Sequence, residues 1–189
     1  MGLTLSRSVS KDLQDIARKV LGSERLTAED GLALYRHPDL SSIGAMANTV
    51  RERLNGDTTY FVRNQHINYT NICNKFCKFC SFYAKKGGPD PYEMTIAEVR
   101  ERLEWHKDVE ITEVHMVGAI NPRLPYSYYM DLVRVVKEVM PQAQVKAFTA
   151  VEIEQIALKG KVTIEKALLD LIEAGLDCLP GGGIEILSD

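Results

Sequence analysis

The stretch that decides the fold begins Thr59-Tyr60-Phe61-Val62-Arg63-Asn64-Gln65-His66-Ile67-Asn68 and, after Tyr69, continues Thr70-Asn71-Ile72-Cys73-Asn74-Lys75-Phe76-Cys77-Lys78-Phe79-Cys80. The segment from Thr59 to Asn68 is rich in β-branched and aromatic residues and alternates in part, which predicts a strand. A polar, lysine-bearing loop is expected next, from Thr70 to Pro91. It carries three cysteines in the spacing C-x3-C-x2-C.

Downstream of that loop, helical and strand patterns alternate. A helix is expected from Thr95 to His106, with Ile96, Val99 and Leu103 on its apolar side. Then come a strand from Ile111 to Val117, a turn at Asn121-Pro122 and Pro125, and a helix from Ser127 to Met140. A strand from Val145 to Phe148 and a helical stretch from Ala150 to Ala174, interrupted at Gly160, come after these. A fourth strand from Leu176 to Leu179 ends in Pro180-Gly181-Gly182-Gly183. This order is that of a parallel α/β sheet, with connections long enough for right-handed crossovers. About four parallel strands fit either a small open sheet or the N-terminal half of a (β/α) TIM-type barrel. In both, the carboxyl ends of the strands carry the site. The cysteine loop, Gly118 to Pro125, Thr149 to Glu152 and Gly181 to Gly183 all come directly after strands, so they share that end.

Upstream, residues 1–58 read as a helical segment preceding the α/β part, residues 59–189. Val9, Leu13, Ile16, Ala17 and Val20 recur at helical spacing up to Gly22. Thr27 with Asp30 resembles a capping box, opening a helix that runs to Arg36, before His37-Pro38. A third helix is expected from Leu40 to Leu54, stopping at Asn55-Gly56.

Composition narrows the class. With 45% apolar and 26% charged residues over 189 positions, the chain is an ordinary globular protein of one or two domains, not a fibre or a disordered tail. The net charge of −3 offers no basic excess for a nucleic acid. No apolar run approaches the ~18 residues of a membrane span. Met1 to Asp15 lacks the apolar core of a signal peptide. Met1-Gly2-Leu3-Thr4-Leu5-Ser6 fits the loose myristoylation pattern, which is short enough to match by chance. The expected location is the cytoplasm, with no membrane and no nucleic-acid partner.

Clustered cysteines in such a chain point to metal. Thiolates at Cys73, Cys77 and Cys80 can grip three corners of an iron–sulfur cubane or a zinc ion. A structural zinc would need His66, His106 or Cys178 as a fourth ligand, and such sites usually pair their cysteines as two knuckles. Three ligands leave one metal corner open, as catalysis requires. Cys178, in an apolar strand, reads as a small buried hydrophobe. Alternation puts Asn64, His66 and Asn68 on one face of the first strand, and His115 and Val117 on one face of the second. If those faces point inward, His66 and His115 can bind a substrate carboxylate or move protons; otherwise they are hydrogen-bonded core histidines. Lys146 is an interior cation or a snorkelling surface lysine. Tyr126, Tyr128 and Tyr129 form an aromatic wall or simply the first turn of a packed helix.

The C-x3-C-x2-C spacing, with Phe79 just before the last cysteine, resembles the radical S-adenosylmethionine superfamily. The resemblance implies a full or partial (β/α) barrel with a 4Fe–4S cluster on Cys73, Cys77 and Cys80, near Phe79. S-adenosylmethionine chelates the fourth iron and, on reduction by an external one-electron donor, yields a 5′-deoxyadenosyl radical. His66-Ile67-Asn68-Tyr69-Thr70-Asn71-Ile72-Cys73 is similar to the loop entry of futalosine-pathway and deazaflavin-cofactor enzymes. Glu113-Val114-His115-Met116-Val117-Gly118, Asn121-Pro122, Lys146-Ala147-Phe148-Thr149-Ala150-Val151-Glu152-Ile153 and Leu179-Pro180-Gly181-Gly182-Gly183 look more like the aminodeoxyfutalosine synthase family.

That family is implied to join the adenosyl group to 3-[(1-carboxyvinyl)oxy]benzoate, an enol ether, giving aminodeoxyfutalosine for menaquinone. Gly118, Thr149, Glu152, Gly181 and Gly182 are implied to lie near S-adenosylmethionine, with Glu152 meeting its ribose hydroxyls or its amine. Without the resemblance, Glu152 is a first-turn helix acid and the glycines a flexible end. Two departures stand out. Family members are about twice this length, so strands five to eight are expected to be missing. Gly118-Ala119-Ile120 also stands where many relatives carry Gly-Gly-Glu. Rival readings are a cyclic dehypoxanthinylfutalosine synthase, a deazaflavin-cofactor synthase relative, and an inactive metal-binding fragment. Self-association through the open half-barrel edge is also expected.

Overall fold

The computed structural model describes residues 9–84 and 90–182. The chain divides into two compact units, Met1–Phe61 and Val62–Asp189.

The first unit is helical. A short 3-10 turn, Lys11–Leu13, leads into α1 (Gln14–Leu21). Two further helices come next, α2 (Ala28–Arg36) and α3 (Leu40–Asn55). Leu13, Ile16, Ala17 and Val20 lie on one stripe of the first helix and bury against Met46. The expected capping box is present: Thr27 Oγ1 accepts from Asp30 N–H at 3.2 Å, and Asp30 Oδ2 from Thr27 N–H at 2.8 Å.

The second unit is α/β. Its elements are β1 (Asn64–Ile67), α4 (Ile96–Glu104), β2 (Glu113–Met116), α5 (Tyr126–Val139), β3 (Gln144–Ala147), α6 (Ala150–Gly160) and α7 (Ile164–Ala174). The strands form a parallel sheet in the order β1-β2-β3. Ile67, Val114, Met116, Val145 and Ala147 point to the side covered by helices. There they bury against Val99 and Leu103 of α4, Leu132 and Val136 of α5, and Ile156 of α6. Each of these side chains larger than alanine is stabilising by roughly 1.5–3 kcal/mol on full burial. The alternate positions, Asn64, His66, Glu113, His115, Gln144 and Lys146, line the other face.

Two strand expectations change. Thr59 to Val62 is exposed and forms no strand, so β1 begins only at Asn64. Strand-forming side chains without a partner backbone make no ladder. The fourth strand shrinks to a single parallel bridge, Lys146 to Cys178. Pro180 has no N–H to continue it, and Gly181 and Gly182 turn away at φ +72° and +132°. The stretch from Ala150 to Ala174 breaks as expected, with Lys161 left-handed after Gly160 and Thr163 capping α7. Gly183 and Met1 to Ser6 lie outside the described residues.

Candidate active site

The cysteine loop leaves the carboxyl end of β1 and is pinned at its base by backbone pairing. Met94 N–H donates to Tyr69 O at 2.8 Å, Ala84 N–H to Asn71 O at 2.7 Å, and Asn74 N–H to Ile120 O at 3.0 Å. Cys77 is exposed, Cys73 and Cys80 are half-buried, and none forms a disulfide. Cys80 N–H bonds Cys77 O at 3.1 Å in a tight turn. Lys75 N–H donates to Cys73 Sγ at 3.3 Å, the kind of contact that supports a ligating thiolate. Phe79, beside Cys80, is 84% exposed. Three free thiols on one loop at this spacing fit the cluster as a donor set. Among the described residues, no three His, Cys, Asp or Glu side chains form a closed ligand cage.

The other expected residues gather at the same end of the sheet. Gly118 comes after β2, Thr149 after β3, and Gly181-Gly182 after the Cys178 bridge. A side chain at Gly182 would lie 3.3 Å from Thr149 Cγ2, so these two segments touch. Phe148, which directly precedes Thr149, is fully buried at φ +65°, a strained conformation for a bulky residue.

Glu152 has a structural occupation. It is 2% exposed, at the third helical position of a capping box opened by Thr149. Its Oε1 accepts from Tyr69 Oη at 2.6 Å and Gly118 N–H at 2.9 Å. Its Oε2 accepts from Thr149 N–H at 2.7 Å and Thr149 Oγ1 at 2.8 Å. Burial pushes its carboxyl up, and these donors act against that shift. All four bonds go to the protein, and through them the carboxylate joins the ends of β1, β2 and β3. Gly118 serves the same join, because a Cβ there would sit 2.6 Å from the Tyr69 ring. Burial and the Glu152 charge hold the Tyr69 phenol well above its ordinary value, so it remains a donor. Tyr128 and Tyr129 pack with Tyr69 and Phe148 in the core.

On the open face, register aligns His66 with His115 and His115 with Lys146. The two imidazole centroids are 5.0 Å apart. Buried Glu113 sits beneath this row, 3.7 Å from His115 Nδ1 and 3.5 Å from Lys146 Nζ. Cys178 stands beyond Lys146, its thiol pushed up by burial. Burial, and then the charge of His66, hold the His115 imidazole below its ordinary value, while Glu113 opposes this. The row therefore sets two imidazoles and an ammonium on one face of the sheet, with Lys146 half-buried beside Glu113. Strand alternation points to the histidines and equally places Glu113 on this face, but nothing local marks Glu113 as their support or Tyr69 as the partner of Glu152.

Comparison with known proteins fits this arrangement. A family model described as the radical SAM superfamily matches residues 67–189. Aminodeoxyfutalosine synthase of Streptomyces coelicolor is 41% identical over 92% of the chain, which spans 45% of that protein. Cyclic dehypoxanthine futalosine synthase of Halalkalibacterium halodurans is 35% identical over 94% of the chain and 48% of its own length. FO synthase of Mycobacterium tuberculosis is 41% identical over 93% of the chain and 21% of its length. The chain thus spans less than half of each of these curated relatives. Among solved structures, a methylornithine synthase matches with a TM-score of 0.65 at 20% identity, over 86% of this chain and 45% of that one, a likeness of fold.

Proposed function

Because this chain belongs to the radical S-adenosylmethionine superfamily, we propose that it is the cluster-bearing half of an enzyme adding an adenosyl group to an enol-ether benzoate. The product is aminodeoxyfutalosine, a precursor of menaquinone. The observation that carries the reading is the free C-x3-C-x2-C loop at the same sheet end as Gly118, Thr149 and Gly181-Gly182. The family's cofactors are a 4Fe–4S cluster and S-adenosylmethionine. When bound, they supply a 5′-deoxyadenosyl radical after one-electron reduction.

The chain's own residues do the rest. Cys73, Cys77 and Cys80 hold the cluster, and Phe79 shields it. Gly118, Thr149, Gly181 and Gly182 border the cofactor, with backbone free of bulky side chains. Lys146, His115 and His66 take the substrate's carboxylate groups and hold protons on the open face. Glu113 keeps His115 Nδ1 and the Lys146 ammonium oriented.

Anaerobic reconstitution with iron and sulfide tests the first step. A reduced cluster whose paramagnetic resonance signal shifts on adding S-adenosylmethionine supports the reading; zinc without a cluster refutes it. Supplying 3-[(1-carboxyvinyl)oxy]benzoate and searching for the adduct by mass spectrometry tests the substrate. The equal identity to FO synthase favours one second reading, in which a deazaflavin precursor is the substrate. The same assay with that precursor decides between them.

A further inference from the structure

Asn121 is fully buried and belongs to the segment that leaves β2. Its amide is engaged in three directions. Nδ2 donates to Thr70 Oγ1 at 3.1 Å and to Glu93 Oε2 at 2.9 Å, while Oδ1 accepts from Arg123 N–H at 3.0 Å. Arg123 Nη2 closes the knot on Glu93 Oε2 at 3.0 Å. Thr70 opens the cysteine loop and Glu93 lies just beyond its far end, and these two residues pair in an antiparallel bridge. The knot therefore grips both ends of the loop from the strand next door. Two backbone bonds run beside it, Ala119 N–H to Thr70 O and Asn74 N–H to Ile120 O, each at 3.0 Å.

A primary amide suits this place because it donates twice and accepts at once without charge. A chelate made across two loops needs both loops placed to within about 0.5 Å. We propose that Asn121 is a positioning residue. It fixes the cysteine loop, which would hold the iron, relative to the Gly118–Ile120 segment. This rests on the reading of the chain as a radical enzyme.

Asn121→Asp removes both donated bonds and sets a second carboxylate beside Glu93. Adding Glu93→Gln restores one donor–acceptor pair between the two residues with its direction reversed, while the bond to Thr70 Oγ1 stays lost. In the metal-free protein, N121D is expected to speed hydrogen exchange at the Asn74, Ala84 and Ala119 amides about fivefold or more, leaving α5 unchanged. After reconstitution N121D should hold wild-type iron, yet its resonance signal should no longer shift with S-adenosylmethionine. N121D/E93Q should recover both behaviours in part. Asn121→Ser, which keeps one donor, is the milder variant and is read in the same way.

An N121D protein that shows the wild-type shift overturns the proposal, and so does one whose only loss is thermal stability. A wild-type signal that ignores S-adenosylmethionine refutes the parent reading, and the proposal falls with it. A wild-type response retained in N121D refutes the proposal alone.

Discussion

The Tyr69 hydroxyl donates to Glu152 Oε1 at 2.6 Å across 83 residues of chain. This bond, with the one from Gly118 N–H, draws the exits of three parallel strands to one carboxylate. Glu152→Gln turns one accepting oxygen into a donor facing donors. It should destabilise the fold by about 1–3 kcal/mol, the usual cost of unpaired buried polar groups. Tyr69→Phe removes one donor of four and should cost less. Urea unfolding of both variants measures the difference, and equal costs would show that the join does not act through Glu152.

The His115 imidazole gives a pH signature. Its value should lie below 6.5 in a proton NMR titration, because burial and then His66 disfavour its charge. His66→Gln removes a neighbouring cation and should raise it. Glu113→Gln removes the stabilising carboxylate and should lower it further. With the folded value depressed, the stability tied to this group is present above 6.5 and is lost as pH falls through the folded value. His115→Gln should flatten that part of the pH profile.

Much of this is legible in residue patterns, and the exceptions have a common cause. Thr27 with Asp30 lies within a single turn, so sequence spacing exposes that capping box directly. Alternation likewise predicts which face of its strand each of His66 and His115 takes, and register then sets them side by side on one face of the sheet. The role of Glu152 is legible only in half: its place in the first turn is plain, but Tyr69 and Gly118 reach it through tertiary packing. Asn121 looks like a turn residue because its partners Thr70 and Glu93 lie 51 and 28 positions away. The fourth strand fails for a local reason, since apolar residues forecast a strand while Pro180 and the left-handed glycines prevent a ladder.

Two glycines should respond in opposite directions to alanine. Gly118→Ala places a methyl group 2.6 Å from the fully buried Tyr69 ring, which Tyr128, Tyr129 and Phe148 hold in place. Overpacking of this kind costs about 1–3 kcal/mol. Gly44, inside α3, has open space around it. Gly44→Ala should stabilise by about 0.5–1 kcal/mol through helix propensity. Thermal melts of the two variants should move apart from the wild type in opposite senses.

The cysteines should divide three against one. Cys73, Cys77 and Cys80 stand free on the loop, whereas Cys178 sits across the sheet beside Lys146. Alanine at any loop position leaves two thiolates, too few for a stable three-point grip, and should abolish retained iron after gel filtration of the reconstituted protein. Cys178→Ala should keep wild-type iron content. It removes only a half-buried thiol, so a surface-like change within about 1 kcal/mol is expected in its unfolding free energy. Iron lost from the Cys178 variant and kept in one loop variant would move the ligand set off the loop and overturn the assignment of Cys73, Cys77 and Cys80.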